Sequence, residues 1–223
     1  MDLARLLLVL KEAGVCRTGH FVGVSGKHLD MFVNFEDMFK PENEDHLDFI
    51  VGQLVELIGE NTILWPTYIT GPAEGGNLLC ERLAPDLSER LGYQVKVALT
   101  ERISGAENFT FKSRIDLKGE TVLVLDGVSA SGQSVLNVSE RVRAFRGEVL
   151  GVVVAVDREG LTSDKLGVPL YRFLIALQTK SYDVPIEGCQ ACPLCMSNVP
   201  INVEPGLGHG AEYVAKHGQP RES

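Results

Sequence analysis

The sequence predicts an α/β protein with a central, mostly parallel sheet flanked by helices. Short apolar runs alternate with helical segments through the middle of the chain, as in strand–loop–helix units. These runs are continuous and do not alternate with polar residues, which is typical of strands buried on both faces. Gly-rich loops at 71–76 and 130–134 directly follow two of the runs. In parallel sheets ligands bind at the carboxyl ends of the strands, so these loops are candidate binding elements.

Length and composition indicate a folded domain and exclude several classes of protein. The chain has 223 residues, of which 44% are hydrophobic and 23% are charged, which is enough for a buried core and unlike a disordered chain. The formal net charge of −9 disfavours a uniformly basic nucleic-acid-binding protein, although a local basic pocket is compatible with it. No apolar run approaches the roughly 18 residues of a membrane span. We therefore expect neither a nucleic-acid partner nor a membrane partner.

The first element is predicted to be a helix that docks on the core or at a subunit contact. Its leucines have the i, i+3, i+4, i+7 spacing of one helical face, and Gly14 ends the helix. The leucines of this face are Leu3, Leu6, Leu7 and Leu10. A secretory signal is not expected, because Asp2 comes early and a charged pair at 11–12 follows without a small-residue cleavage site. The expected location is the cytoplasm.

Periodicity predicts the remaining elements. Alternating apolar residues and glycines at 17–39 indicate short strands or a hairpin, and apolar residues on one side of 45–59 indicate a helix. Further strands are predicted at 67–70, 95–99, 121–125, 150–156 and 171–177, with helices from Asn77 and over 135–145. The strand at 121–125 is expected to end at Asp126 and Gly127.

The stretch 121–135 carries the most chemical information. A buried strand delivers Asp126 to the sheet edge, and a Ser/Gly turn then opens a helix. Backbone N–H groups at a helix start, with the hydroxyls of Ser131 and Ser134, suit a phosphate monoester, and Gly132 permits close approach. Asp126 could accept hydrogen bonds from neighbouring sugar hydroxyls. The pattern is neither G-x-G-x-x-G nor a P-loop, and the alternative is an ordinary strand–turn–helix unit with a helix N-cap.

The five cysteines are an odd number in a chain without a predicted export signal, which argues against a disulfide framework. Cys16 and Cys80 are isolated and are expected to be buried small hydrophobic residues. The others form a C-x2-C-x2-C pattern whose thiolates can converge on Zn²⁺, with His209 as a candidate fourth ligand. They are Cys189, Cys192 and Cys195. The alternative is a tail that is simply packed or redox-inert.

These motifs, in this order, resemble one known family. The stretch 121–135 resembles the ribose-5-phosphate-binding motif of type I phosphoribosyltransferases, and 71–76 resembles their pyrophosphate loop, Gly-Pro-Ala-x-x-Gly. Within that family the chain is most similar to the orotate phosphoribosyltransferases. The segment 20–34 resembles their N-terminal hood, and Ala-Val-Asp-Arg at 155–158 resembles their Asp-Arg at a strand end. The tail at 192–201 is similar to the ending of several bacterial and archaeal members.

The resemblance implies the type I phosphoribosyltransferase fold with a small N-terminal hood. It implies a homodimeric enzyme that transfers ribose 5-phosphate from phosphoribosyl pyrophosphate, carried with Mg²⁺, to orotate. The products would be orotidine monophosphate and pyrophosphate, in pyrimidine nucleotide synthesis. It also implies three segments: 1–60 with the first helix, the hood and the first core helix, 61–180 with the phosphoribosyltransferase core, and 181–223 with the Cys-rich tail.

The resemblance implies roles for particular residues. The 5-phosphate would lie in a cradle that consists of Ser129, Ala130, Ser131, Gly132, Gln133 and Ser134. Backbone N–H groups would bind the pyrophosphate in a loop where family members hold a strained peptide, here at Ala73, Glu74, Gly75 and Gly76. Asp126 would act in catalysis and on the metal. Arg158 would be a planar fork for the orotate carboxylate or ring oxygens, and the alternative is a surface ion pair with Asp157 or Glu159.

The polar segment 100–119 is a candidate lid. In the family such a loop brings cations over the pyrophosphate, often in the neighbouring subunit's site. The catalytic cations implied here are Arg102, Lys112 and Arg114. The alternative is a β-hairpin with solvated charges, because Phe109 and Phe111 alternate with polar residues.

The chain departs from the family pattern at several positions. Gly127 stands where the family has a second acidic residue, and Glu74 and Gly75 stand where some members have Lys. Val24 stands where the hood often has Lys, and the lid lacks an Arg-Lys cluster and a His. Loss of one charged hydrogen bond costs about 1.5–3 kcal/mol of binding. Two alternatives therefore stay open: an enzyme that acts on another base, and a non-catalytic regulator that binds a phosphoribosyl ligand.

Overall fold

Helices and strands alternate through most of the chain. The computed structural model describes residues 2–23, 25–60, 65–103, 108–183 and 192–220. The helices are α1 (Leu3–Glu12), α2 (Glu44–Gly59), α3 (Gly75–Leu91), α4 (Gln133–Ala144), α5 (Ser163–Leu166), α6 (Pro193–Met196) and α7 (Gly210–His217), with 3-10 turns at Phe35–Phe39 and Pro41–Asn43. The strands are β1 (Cys16–Val22), β2 (His28–Val33), β3 (Tyr68–Thr70), β4 (Lys96–Ala98), β5 (Thr100–Arg102), β6 (Phe109–Phe111), β7 (Thr121–Ser129), β8 (Glu148–Asp157), β9 (Tyr171–Ala176) and β10 (Ser181–Tyr182).

The chain divides into two compact units, each made of two separate stretches. The core unit consists of Met1–Val9 and Phe35–Gln178, and the small unit consists of Leu10–Asn34 and Thr179–Ser223. Each unit contains a sheet of its own.

A five-stranded parallel sheet forms the middle of the core unit. Its strand order is β4-β3-β7-β8-β9, and each neighbouring pair is parallel. Each of the five strands predicted from apolar runs is present close to its predicted position. The predicted α/β class with a central parallel sheet is therefore confirmed.

Helices cover both faces of this sheet. Val122 and Val124 of β7 pack in one buried cluster with Val135 of α4. Successive strand residues point to opposite faces, so the equally buried Leu123 and Leu125 face the other side. There α3 packs against β3 and β7. Burial of side chains of this size contributes about 1.5–3 kcal/mol each, so the sheet is a firm support for the loops at its edge.

The strand that carries Asp126 is longer than predicted. The sequence predicts an end at Asp126 and Gly127, but β7 continues to Ser129. A Gly-containing pair is typical of a turn, whereas here β8 runs beside it as a parallel partner, with Asp126 opposite Val154 and Ser129 opposite Asp157. Pairing with a neighbouring strand keeps this segment extended. Asp126 therefore lies inside the strand, and Ser129 lies at the sheet edge.

The buried face of α1 is displaced from the predicted one. Leu6 and Leu10 are fully buried as predicted, but Leu3 is 55% exposed. Val9 and Ala13 are buried with them, so the i, i+3, i+4, i+7 stripe begins at Leu6 and not at Leu3. Among the described residues, no helix combines the length and the apolarity that crossing a bilayer requires.

The small unit is built on the hairpin predicted within 17–39. β1 and β2 pair antiparallel, and β10 adds to the other edge of β2. The C-terminal tail returns along β1, where His20 bridges to Ile201 and the N–H of His209 donates to the carbonyl oxygen of Val22 at 2.8 Å. The N-terminal hairpin and the C-terminal tail, which are far apart in sequence, are thus parts of one unit.

Candidate active site at the carboxyl edge of the core sheet

Three adjacent strands of the core sheet end at the same edge. β3, β7 and β8 are neighbours and run parallel. β3 is followed by the loop 71–76, β7 by the turn 130–132, and β8 by Arg158. Both predicted Gly-rich loops and Arg158 therefore lie along the edge at which parallel sheets bind ligands.

The loop 71–76 is tightly folded on itself. The Gly76 N–H donates to the carbonyl oxygen of Pro72 at 2.9 Å, so this N–H is used within the loop. A Cβ atom on Gly76 would lie 2.7 Å from Cδ of Pro72, which is a steric clash. Glycine has no Cβ atom and therefore fits this position. The peptide bond between Ala73 and Glu74 is cis. The hydrogen bond between Gly76 and Pro72 encloses Ala73, Glu74 and Gly75 in one turn.

Two buried side chains that the sequence did not reveal fasten this loop to β5. Thr100 Oγ1 donates to the carbonyl oxygen of Gly71 at 2.6 Å. Asn77 Nδ2 donates to the carbonyl oxygen of Thr100 at 2.7 Å, and the Thr100 N–H donates to Asn77 Oδ1 at 2.9 Å. α3 begins at Gly75, two residues before the predicted Asn77, so Asn77 lies in its first turn. A polar residue on an otherwise apolar helix face was the signal for this role.

The turn between β7 and α4 has the backbone that an anion site requires. Gly132 is the N-cap residue of α4 with φ 80°, in the left-handed region that favours glycine. Glycine offers no side-chain acceptor, so the first-turn N–H groups need other partners, which a bound phosphate would supply. Ser131 Oγ lies 3.4 Å from the N–H of Gln133, at the long limit for a hydrogen bond. Ser131 is exposed and Ser134 is half-buried.

Asp126 is a half-buried carboxyl group on β7 that holds its proton more tightly than an ordinary aspartic acid does. Burial raises the pKa of Asp126 to about 7, while the N–H groups of Gly127 and Val128 and the charge of Arg102 act in the opposite direction. The Gly127 N–H donates to Asp126 Oδ1 at 2.8 Å. Near pH 7 both protonation states are populated, so the carboxyl can donate or accept a hydrogen bond.

Phe35 fills the space beside Gly127, and sequence reasoning missed it. A Cβ atom on Gly127 would overlap the ring of Phe35 and lie 2.7 Å from the Cβ atom of Phe35. Phe35 is 6% exposed, and its ring meets that of Phe39 edge-on with 5.8 Å between centroids. The position at which the resemblance implies a second acidic side chain is thus packed against an aromatic ring. No local sequence signal links Phe35 to Gly127, because only the fold brings them together.

Asp157 organises the turn that carries Arg158. Its carboxylate is buried and accepts the N–H groups of Glu159 (3.1 Å), Gly160 (3.0 Å) and Leu161 (3.0 Å). The Arg158 N–H donates to the carbonyl oxygen of Ser129 at 2.9 Å, which ties this turn to the end of β7. Burial lowers the pKa of the half-buried Arg158 guanidinium, which nevertheless stays charged. Asp157 therefore holds the backbone of the turn that carries Arg158.

The segment 100–119 contains a hairpin. β5 and β6 pair antiparallel, as the hairpin alternative predicts. Phe109 and Phe111 are buried in the same hydrophobic cluster as Val122 and Val124. The rings of Phe111 and Phe145 meet edge-on with 5.1 Å between their centroids. The residues between the strands at 104–107 lie outside the described residues. The structure thus has a hairpin anchored by aromatic side chains, and its role as a lid stays a prediction.

The three predicted cations occupy exposed positions on this segment. The guanidinium of Arg102 lies 5.2 Å from the centroid of the Phe109 ring, and its charge lowers the pKa of Asp126. Lys112 and Arg114 follow β6 on the surface. Arg102 is thus electrostatically coupled to the candidate site, whereas the contributions of Lys112 and Arg114 stay predictions.

The cysteines are placed partly as predicted. Cys16 and Cys80 are buried free thiols, and burial raises the pKa of both, that of Cys16 to about 11. Cys189 lies outside the described residues. His209 is half-buried, and its Nδ1 atom lies 2.9 Å from Oε2 of Glu212. It is not among the described side chains that could jointly hold a metal ion, so the prediction of His209 as a fourth ligand is wrong.

Comparisons with known proteins agree with this architecture. A family model described as the phosphoribosyl transferase domain matches residues 39–177. Orotate phosphoribosyltransferases from Caldanaerobacter subterraneus subsp. tengcongensis and Caldicellulosiruptor bescii are 32% and 31% identical over 206 residues, which covers 92% of this chain and 98% of each relative. The crystal structure of orotate phosphoribosyltransferase from Aeropyrum pernix has a similar fold, with a TM-score of 0.61 at 22% identity over 77% of this chain and 93% of that chain. With its sheet, its two loops and these relatives, the chain belongs to the phosphoribosyl transferase family.

Proposed function

We propose that this protein is an orotate phosphoribosyltransferase, which transfers ribose 5-phosphate from phosphoribosyl pyrophosphate to orotate and releases pyrophosphate. The observation that carries the proposal is the meeting of two Gly-rich loops and Arg158 at one sheet edge. The donor and the acceptor are both anions, and helix-start N–H groups and a guanidinium are the groups that bind such anions. Relatives of 31–32% identity that bear this name support it.

In this proposal the ribose 5-phosphate lies between β7 and α4. The N–H groups of 130–134 and the hydroxyls of Ser131 and Ser134 hold the phosphate. Asp126, in its ionised form, accepts hydrogen bonds from ribose hydroxyls and stabilises the oxocarbenium-like charge that develops on the ribose. Because Phe35 packs against Gly127, Asp126 carries this role without a second carboxylate beside it.

A Mg²⁺ ion carried by the substrate would supply charge neutralisation on the pyrophosphate leaving group. The donor chemistry at this edge fits such an ion, because Mg²⁺ uses one or two protein carboxylates together with phosphate oxygens. Asp126, which lies inside β7 three residues before its end at Ser129, is the carboxyl group that would contribute. Backbone N–H groups of the loop 71–76 bind the pyrophosphate, among them those of Ala73, Glu74 and Gly75.

The acceptor and the lid complete the site. The Arg158 guanidinium pairs with the orotate carboxylate or ring oxygens, held by the turn that Asp157 organises. In a homodimer, Lys112 and Arg114 of one protomer cover the pyrophosphate in the partner's site and exclude water, whereas Arg102 acts on the site that holds Asp126 of its own chain.

An assay with phosphoribosyl pyrophosphate, Mg²⁺ and orotate tests this function. We expect loss of orotate absorbance that depends on both phosphoribosyl pyrophosphate and enzyme, with release of pyrophosphate in equal amount. Adenine, hypoxanthine and uracil in parallel reactions serve as controls for the base. If one of them gave faster pyrophosphate release than orotate, that base would be assigned as the substrate in place of orotate.

The contact between Phe35 and Gly127 also favours a second candidate, a regulator that binds a phosphoribosyl ligand without turnover. With one carboxylate at the ribose and an acidic residue, Glu74, in the loop 71–76, ligand binding without catalysis is chemically reasonable. An increase in melting temperature with phosphoribosyl pyrophosphate, together with no pyrophosphate release from any base at high enzyme concentration, would support it.

A further inference from the structure

Four metal-ligating side chains meet inside the small unit. None of them is among the residues of the candidate active site. They are His20 on β1, His28 on β2, Cys192 directly before α6 and Cys195 within it. All four are buried, with exposures of 1%, 0%, 0% and 5%, and their ligand atoms lie within 4.8 Å of one another. Two imidazoles and two cysteine sulfurs at this spacing form a candidate metal centre.

The spacing of the ligand atoms is close to that around a tetrahedral zinc ion. With Zn–S near 2.3 Å and Zn–N near 2.0–2.1 Å, neighbouring ligand atoms lie about 3.4–3.8 Å apart. His20 Nε2 lies 3.8 Å from Cys192 Sγ and 3.7 Å from Cys195 Sγ, and His28 Nδ1 lies 3.3 Å from Cys195 Sγ. The two imidazole nitrogens, 2.7 Å apart, are closer than in such a site, so a bound ion would widen this one edge.

A second contact orients His20 for metal binding. His20 Nδ1 lies 2.7 Å from the carbonyl oxygen of Val199, which can only accept, so Nδ1 carries the hydrogen. The lone pair is then on Nε2, the atom that faces both sulfurs. Hydrogen bonds of this kind from the second imidazole nitrogen are usual for zinc-bound histidines. Because Val199 follows α6 by a few residues, the segment that supplies the thiols also fixes the ring.

The short helix α6 brings the two thiols together. Cys192 and Cys195 have the C-x2-C spacing of zinc-binding turns, and the N–H of Met196 donates to the carbonyl oxygen of Cys192 at 3.0 Å. Two thiolates and two imidazoles form a ligand set that zinc prefers. Hard cations such as Mg²⁺ prefer oxygen ligands instead. Four protein ligands leave no open position, which is typical of a structural site.

We propose that His20, His28, Cys192 and Cys195 bind one structural Zn²⁺ that ties the C-terminal tail to the N-terminal hairpin of the small unit. The proposal concerns the reduced chain, because the structure records Cys195 as disulfide-bonded and Cys192 as a free thiol. A sulfur in a disulfide is not a thiolate ligand, so disulfide and zinc are competing states of this residue. The site is independent of the proposed transferase activity.

Metal analysis of the full-length chain, purified with a phosphine reductant, tests the proposal. We expect about one zinc per chain. After exchange for Co²⁺ we expect the visible bands of a tetrahedral site and a thiolate charge-transfer band. Cys192→Ser and His28→Ala should each weaken zinc binding by at least about 10-fold, judged by competition with a chelator. Two control variants should bind zinc like the parent. Cys80→Ser removes another buried cysteine, and His209→Ala removes another histidine of the small unit.

Each result decides for or against the site. Since a ligand variant could fail to fold, the parent protein itself is titrated with zinc after chelation, and its melting temperature is expected to rise with zinc. A folded, reduced parent that binds neither zinc nor Co²⁺ would overturn the proposal. So would zinc binding that survives His28→Ala but is lost in Cys189→Ser, which would assign a different ligand set. A Cys195 disulfide that persists under the reducing conditions would also overturn the proposal.

Discussion

Single residues determine the charge of the candidate site. Asp126 is the carboxyl group at the proposed ribose position, and burial raises its pKa to about 7. Phe35 occupies the space in which a side chain at Gly127 would lie. Arg158 brings a half-buried cation to the same edge. The roles of Asp126 and Arg158 can each be tested by a single substitution.

The contact between Phe35 and Gly127 predicts the effect of restoring an acidic residue. Gly127→Asp should lower the free energy of unfolding by about 1–3 kcal/mol, because its side chain would overlap the Phe35 ring. The matched control is Gly52→Ala on α2, where nothing lies within 4 Å of a new Cβ atom. That change should raise the free energy of unfolding by about 0.5–1 kcal/mol. Urea denaturation measures both, and an equal cost of Gly127→Asp in a Phe35→Ala background would contradict the contact.

Arg158→Lys should separate orotate binding from phosphoribosyl pyrophosphate binding. Lysine keeps the charge but loses the planar fork, so we expect the KM for orotate to rise by about 10-fold or more, with a smaller change in the KM for phosphoribosyl pyrophosphate. Steady-state kinetics with each substrate varied in turn measure this. Arg90→Lys, an exposed arginine at the end of α3, is the control. Equal effects on both KM values would argue against the proposed role.

The raised pKa of Asp126 predicts a pH dependence of stability. In the unfolded chain an aspartate titrates near 4, whereas Asp126 in the folded protein titrates at about 7. Between these values the folded state holds a proton that the unfolded state has lost, so this residue's contribution to stability falls as pH rises from 4 to 7. Asp126→Asn should therefore gain stability relative to the parent over this range. Urea denaturation without Mg²⁺ or substrate checks this, and a difference that is constant with pH would refute it.

At the scale of elements, the parallel strands place the loops, and side chains then fasten the loops to one another. Thr100 and Asn77 join the loop 71–76 to β5, and Phe109 and Phe111 hold the β5–β6 hairpin on the core. The hairpin is thus firmly based, while its predicted cations are exposed. Stability and activity should therefore respond to different residues of the same element.

Lys112→Ala tests the lid role of the hairpin. We expect kcat/KM for phosphoribosyl pyrophosphate to fall by about 10-fold or more, because a charged contact with the leaving group is lost. The free energy of unfolding should change by less than about 0.5 kcal/mol, since Lys112 is exposed. Lys118→Ala, an exposed lysine outside the hairpin, is the matched control. If both variants have the same kinetics, Lys112 has no role in the lid.

At the scale of the whole molecule, the charge balance opposes the proposed substrates. The net charge of −9 repels anions at long range, so their attraction must come from local groups such as helix-start N–H groups, Arg102 and Arg158. If lid cations act in the partner's site, each site also requires a second protomer.

Mixed dimers test that requirement. When Lys112→Ala and Arg158→Ala chains are co-expressed, a hybrid dimer has one site with an intact Arg158 and an intact Lys112 from the partner. Half of the dimers are hybrids, so about one quarter of the parental activity should return. If Lys112 acts within its own protomer, the mixture should be no more active than the separate variants. Size-exclusion chromatography with light scattering confirms the dimer in each sample.

Much of the fold could be predicted because its signals are local. Continuous apolar runs predicted the five parallel strands, and glycines after two of them predicted the loops at the sheet edge. The errors arose where a neighbour overrules a local signal. Asp126 and Gly127 resemble a turn, but β8 keeps them in a strand. The apolar stripe of α1 has the predicted spacing, but its starting residue depends on what covers the helix.

The α/β class, the two Gly-rich loops and the resemblance to a family could be read from the residues alone, because periodicity, glycine placement and motif order are properties of the chain. The contact of Phe35 with Gly127 and the meeting of His20 and His28 with Cys192 and Cys195 became visible only in the folded chain. Each of these contacts joins residues that are far apart in the chain. Which of them meet depends on how the strands pair and pack, and no local pattern of residues specifies that.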